Sequence, residues 1–213
     1  MIMASMASSP AWAVLLAKAA DWRMNETSGP MIDSSRHHNK GTPSHVVRAG
    51  STYVFNGRTS RVVVPDHTSL DPAGKAITLR ASVRVSGASM DDDSYDVVRK
   101  GLVTTPGGYY KMEIKRTSGP TVGKLHCLFK GRGGTVSKVA GPDIVDGRWH
   151  TLACIKRSDS VVAKVDGRSY TQRGSAGSIS NGRAVMVGAK ELTPRPDDMF
   201  DGRMNFVTIY IAR

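Results

Sequence analysis

The chain has 213 residues, 39% apolar and 23% charged, with 22 glycines and 10 prolines. That supports a sizeable core and excludes collagen-like, coiled-coil and wholly disordered chains. Lys and Arg number 30 against 18 Asp and Glu, a formal net charge of +12 that favours polyanionic partners such as nucleic acid, acidic glycans or anionic lipid.

Residues 1–20 are rich in Ala, Ser and Met and carry one charge, Lys18. They hold a short apolar run, Trp12 to Ala17, and small residues suited to cleavage around Ala17 to Ala20, but no basic start. They read as a signal peptide lacking its true start or as an uncleaved arm, with the folded domain at 21–213. No stretch of the chain approaches the roughly 18–20 apolar residues that a membrane-spanning helix needs.

From Asp21 onward there is no helical period of useful length. Strands are expected, in chain order, at 52–56, 61–64, 77–86, 95–100, 110–115, 125–130, 149–156, 160–166, 184–189 and 203–211. The clearest is 77–86, where Ile77, Leu79, Ala81, Val83 and Val85 face one way and Arg80 and Arg84 the other. That is the alternation of a half-buried antiparallel strand. Tyr110, Met112 and Ile114 alternate with Lys111, Glu113 and Lys115, and Leu125, Cys127 and Phe129 oppose His126 and Lys130. The pairs Asn56-Gly57, Asp146-Gly147, Asp166-Gly167, Asn181-Gly182 and Asp201-Gly202 suit tight turns. Ten or more short strands so punctuated mean an all-β sandwich or jelly roll in one domain.

Two cysteines without a CxxC pair are too few for a disulfide scaffold or a zinc site. Cys127 shares a face with Leu125 and Phe129, and Cys154 with Leu152, so both point inward. A Cys127–Cys154 bridge would add about 3.5 kcal/mol by loop entropy; the alternative is two buried thiols acting as apolar fillers.

Three segments resemble one family. Trp22-Arg23-Met24-Asn25-Glu26-Thr27-Ser28-Gly29, followed by Met31-Ile32-Asp33-Ser34-Ser35, resembles the opening of laminin G-like, concanavalin A-like lectin/glucanase modules. Asp146-Gly147-Arg148-Trp149-His150-Thr151, followed by Val165-Asp166-Gly167, is similar to their internal pattern, and Phe200 to Tyr210 to their closing strand. The cysteine placement resembles exported bacterial members, actinobacterial ones in particular. The resemblance implies a concanavalin A-like jelly-roll β-sandwich of two curved antiparallel sheets, a glycan- or protein-binding role and, in some members, a structural calcium. The chain departs from the pattern where Asn205-Phe206 replaces an acidic pair in the closing strand.

Glycoside cleavage on this fold needs two carboxylates about 5–10 Å apart. The three glutamates, Glu26, Glu113 and Glu191, lie on different segments, and the Glu-x-Asp-x-x-Glu run of jelly-roll glucanases is absent. A glycoside hydrolase is therefore the disfavoured alternative. His150 matches the parity of Leu152 and Cys154 and reads as an inward structural residue, which turns Trp149 outward as a platform. The pair His37-His38 reads as a solvated loop. Asp33 and Asn205 are the candidate calcium ligands on hard-oxygen chemistry, with a plain turn as the other reading of Asp33. With few aromatics and no recognition helix, nucleic acid is disfavoured. Arg80, Arg84, Lys111 and Lys115 are expected to line one sheet face and, with Trp149, to meet carbohydrate or an anionic surface polymer. The chain thus reads as a secreted, non-catalytic binding module, or alternatively as a structural or adhesion protein of a phage virion.

Overall fold

The computed structural model describes residues 15–85, 90, 93–119, 121–191 and 198–213. Among them are fifteen strands, one 3-10 turn (Thr68–Leu70) and no α-helix; no helix is long and apolar enough to cross a membrane. In chain order the strands are β1 (Leu16–Trp22), β2 (Thr42–Ser44), β3 (Val47–Arg48), β4 (Tyr53–Asn56), β5 (Arg61–Val64), β6 (Ile77–Val85), β7 (Ser94–Lys100) and β8 (Tyr109–Ser118). They continue with β9 (Val122–Gly131), β10 (Gly134–Ala140), β11 (Trp149–Lys156), β12 (Ser160–Val165), β13 (Arg168–Arg173), β14 (Val185–Val187) and β15 (Asp201–Ala212).

Two antiparallel sheets pack face to face as a jelly-roll sandwich. One has eight strands in the order β13-β12-β11-β6-β15-β4-β3, with β1 also on β15. The other has seven, in the order β10-β9-β8-β7-β14-β5-β2. Alternation builds both. Along β6 the apolar side chains are buried while Arg80 and Arg84 stay exposed, so one face enters the core and the other meets solvent.

All ten expected strands are present, within a few residues of their expected ends. Five more formed without a clear pattern. β13 is exposed along nearly its whole length and so shows no alternation. Its existence follows from the Asp166-Gly167 turn, where both residues take positive φ (48° and 84°) and fold β13 back onto β12. β10 is the returning limb of the glycine-rich hairpin after Lys130. Asn181-Gly182 is not such a turn, since Gly182 keeps an ordinary φ. The Asn181 side chain instead donates to the Gly108 carbonyl, and the main-chain carbonyl of Asn181 accepts from Lys100.

β1 begins at Leu16, inside the segment set apart above as a leader or arm. It pairs with β15 from Leu16 opposite Ala212 to Trp22 opposite Val207, and buries Ala19 and Ala20. A cut between Ala17 and Ala20 would divide this strand. Residues 1–14, including the apolar run at Trp12, are outside the described residues.

The core between the sheets is filled by Trp22, Tyr53, Phe55, Tyr110, Phe129 and Phe200, each almost wholly removed from solvent. Phe55 and Phe200 meet edge to face at 5.7 Å. Gly188 sits against this pair with φ +78°, and a Cβ there would fall 2.3 Å from the Phe55 ring. Cys127 on β9 and Cys154 on β11 form a disulfide with Cα atoms 5.3 Å apart. It ties the two sheets together through the core, as the inward parity of both residues indicated.

Candidate functional site

The outer face of the seven-stranded sheet carries a cluster of charges. Register places Asp96 on β7 beside Glu113 on β8, and Glu113 beside His126 on β9; directly opposed residues share a face. Asp198, from the segment leading into β15, joins them: carboxylate oxygens of Asp96, Glu113 and Asp198 all lie within 4.8 Å of one another. Each has a cation or donor partner. Arg99 Nη1 is 2.6 Å from Asp96 Oδ2 and 3.8 Å from Asp198 Oδ2. Ser94 Oγ donates to Asp198 at 2.8 Å, and Lys111 pairs with Glu113, whose other oxygen meets His126 Nδ1 at 2.5 Å.

The two buried acids respond oppositely. Burial pushes Asp96 up to about 7 against the charges of Arg99 and Lys111. Burial alone would raise Glu113 too, but the hydrogen bond with His126 and the Lys111 charge hold it at about 2. The geometry is that of a buried, internally neutralised network. Sequence reading placed Glu113 and His126 outward on their strands; that Asp96, Arg99 and Asp198 join them follows only from the pairing of β7, β8 and β9 and from the segment before β15 that packs on them.

The same topology corrects the expected binding face. Arg80 and Arg84 stand on β6 in the eight-stranded sheet, whereas Lys111 and Lys115 stand on β8 in the other. Their outer faces look away from each other across the core, so the four do not line one surface. Lys111 is moreover spent on Glu113.

On the eight-stranded sheet the row is completed by other residues. Trp149 opposes Arg84, and Arg84 opposes Arg203, giving one exposed aromatic and two guanidinium groups side by side. Trp149 is 40% exposed. Arg84 Nε donates to the Gly147 carbonyl at 2.7 Å, and a depression of about 290 Å³ opens beside Arg84 and Arg203. The Trp149 platform is held from beneath. His150 points inward, and its two ring nitrogens meet Asp166 Oδ2 at 2.7 Å and Asp146 Oδ1 at 2.9 Å. Burial by itself lowers the imidazole pKa, but these two carboxylate hydrogen bonds outweigh it and raise it. His150 thus clamps the Asp146-Gly147 and Asp166-Gly167 turns together, a structural role for the internal motif.

The expected calcium pair does not fit a cation. Asp33 is buried, and its carboxylate accepts four hydrogen bonds: from the Asp21 and Ser35 amides, the Asn39 amide and the Ser35 hydroxyl, at 2.7–2.8 Å. N–H and O–H donors occupy the positions that a metal would take; Asp33 organises the loop between β1 and β2. Asn205 sits at a bulge in β15 on the outer face of the eight-stranded sheet. His37 and His38 lie in the same loop as Asp33, and burial, with Arg36 next in effect, lowers the His37 pKa.

No curated protein sequence matches this chain. A family model described as the concanavalin A-like lectin/glucanases superfamily matches residues 56–212. Among solved structures, the binding domain of Paraclostridial Mosquitocidal Protein 1 is similar with TM-score 0.69 and 14% identity, over 92% of this chain and 49% of that one. Domain 4 of AbnA, an extracellular arabinanase of Geobacillus stearothermophilus in complex with arabinotriose, is similar with TM-score 0.64 and 14% identity, over 92% and 93%. The binding domain of botulinum neurotoxin DC in complex with SialylT follows with TM-score 0.63 and 8% identity, over 92% and 48%. The chain spans about half the length of the toxin binding domains it matches.

Proposed function

We propose that this chain, which belongs to the concanavalin A-like lectin/glucanases superfamily, is a non-catalytic, secreted module that binds carbohydrate or an anionic surface polymer. The observation that carries this reading is the row Trp149–Arg84–Arg203 on the outer face of the eight-stranded sheet. An exposed indole stacks on the apolar face of a sugar ring, and guanidinium forks bind carboxylate or sulfate oxygens. The buried acids Asp96 and Glu113 are paired with Arg99, Lys111 and His126, which supports a binding role over hydrolysis. Similar folds are seen in complex with arabinotriose and with SialylT, and the disulfide suits an oxidising compartment.

A panel of neutral and acidic oligosaccharides, read by titration calorimetry at increasing salt, tests the proposal. Trp149→Ala is expected to weaken every bound glycan about tenfold or more, and Arg84→Ala to weaken acidic ones selectively. Absence of glycan binding, or binding indifferent to Trp149, overturns it. A second reading is a structural or adhesion component, of a virion surface for example, favoured by the exposed Leu15 and Leu16 at the start of β1. A defined oligomer in native mass spectrometry supports that reading, and a stable monomer removes it.

A further inference from the structure

We infer that the groove floored by Asn205 is a subsite for one sugar unit carrying an anionic group, carboxylate or sulfate ester, beside a hydroxyl. This rests on the carbohydrate-binding reading and assigns part of the same sheet face a defined ligand chemistry.

The groove holds about 430 Å³ between β1, β6 and β15. It owes its floor to the bulge between Met204 and Phe206, across which the pairing with β6 skips one residue. A bulge adds a residue that has no cross-strand partner and re-aims side chains; here Asn205 and Phe206 both line the outer groove. Asn205 Oδ1 is buried and accepts no hydrogen bond. An orphaned buried acceptor costs about 1–3 kcal/mol; a turn of the Asn205 side chain into the groove lets a ligand hydroxyl donate to it and recovers that cost.

The walls set the charge. Lys18, Arg23 and Arg80 contribute three cations against the one carboxylate of Asp21, a local excess of +2. Asp21 is already engaged by Lys18 Nζ at 2.7 Å and Thr208 Oγ1 at 3.2 Å. Arg80 has no carboxylate partner among the described residues; its guanidinium lies over the Phe206 ring at 5.8 Å, which holds the fork at the groove edge. An excess of positive charge repels a divalent cation and selects an anion. The acceptor on the floor demands a donor within the same ligand, which a bare inorganic anion lacks. A ring bearing both meets the two demands together.

The full chain is titrated calorimetrically with an oligogalacturonide, a sulfated oligosaccharide, a neutral oligosaccharide of equal length and inorganic sulfate. At least one anionic oligosaccharide is expected to bind about tenfold more tightly than the neutral one, and the stronger of the two identifies the anion read. Arg80→Gln and Asn205→Leu are each expected to lower that affinity about fivefold or more and to leave the neutral ligand unchanged. Melting temperatures no lower than the parent protein's show that the variants are folded. Arg80→Lys keeps the charge but loses the fork, and is expected to restore binding only in part. Glycan binding lost in Trp149→Ala but unaltered in both groove variants overturns this inference while sparing the broader reading. Equal competition by inorganic sulfate also overturns it. Absence of any glycan binding sinks both.

Discussion

Asp96 and Glu113 are neighbours across two strands, yet folding moves their proton affinities apart, and each leaves a mark on stability. Asp96 rises from 3.8 to about 7, so the folded state keeps a proton that the unfolded chain has released. Its contribution is greatest below pH 3.8 and declines as pH climbs to about 7. Glu113 falls from 4.5 to about 2, so its contribution is full above pH 4.5 and is lost on acidification towards pH 2. Asp96→Asn is expected to flatten the pH 4–7 limb, with a change on the order of a few kcal/mol across that window. Melting curves of parent and variant at successive pH values check this; parallel curves would refute it. Single residues were read unevenly from sequence. The inward turn of His150 and outward turn of Trp149 were legible because parity along one strand settles them. The capture of Asp33 by four loop donors was not, since those donors converge only once β1 and the following loop are folded.

At the scale of elements, β1 and β15 show how far a strand can be read from its own letters. β15 is rich in apolar and β-branched residues, and a strand is expected there despite the bulge that interrupts its alternation. β1, with the sequence LAKAADW, is mostly alanine and charge, and it is a strand because β15 offers it a partner. Register then makes it part of the sandwich: Ala19, Ala20 and Trp22 are buried, and Lys18 closes over Asp21. A chain beginning at Asp21 is expected to be about 3–5 kcal/mol less stable than one beginning at Leu15, on roughly 1 kcal/mol per lost ladder bond plus the burial of two alanines. Chemical denaturation of the two chains measures it, and coincident midpoints would show β1 to be dispensable. β13 was hidden for a related reason: an edge strand exposed on both faces has no period to detect.

For the whole molecule, the buried Cys127–Cys154 bridge joins the two sheets through the core. Replacing both cysteines by alanine is expected to cost about 3.5 kcal/mol, lowering the melting temperature by about 10 °C for a chain of this size. Thiol reductant on the parent protein should have the same effect, and no shift under either treatment would show that the bridge adds nothing. The all-β class, the main strands, the facing of most side chains and the inward aim of both cysteines are legible in the order of residues alone. These properties are local, because a two-residue period orients a side chain relative to its own strand whatever lies beside it. Which strands are neighbours, and in which sheet, is set by long-range pairing in the folded chain. That choice separated Arg80 and Arg84 from Lys111 and Lys115, set Trp149, Arg84 and Arg203 in one row, and gathered Asp96 and Asp198 around Arg99 with Glu113 beside them. Strand order is a property of long-range pairing, and no period within a strand encodes the partner on its other side.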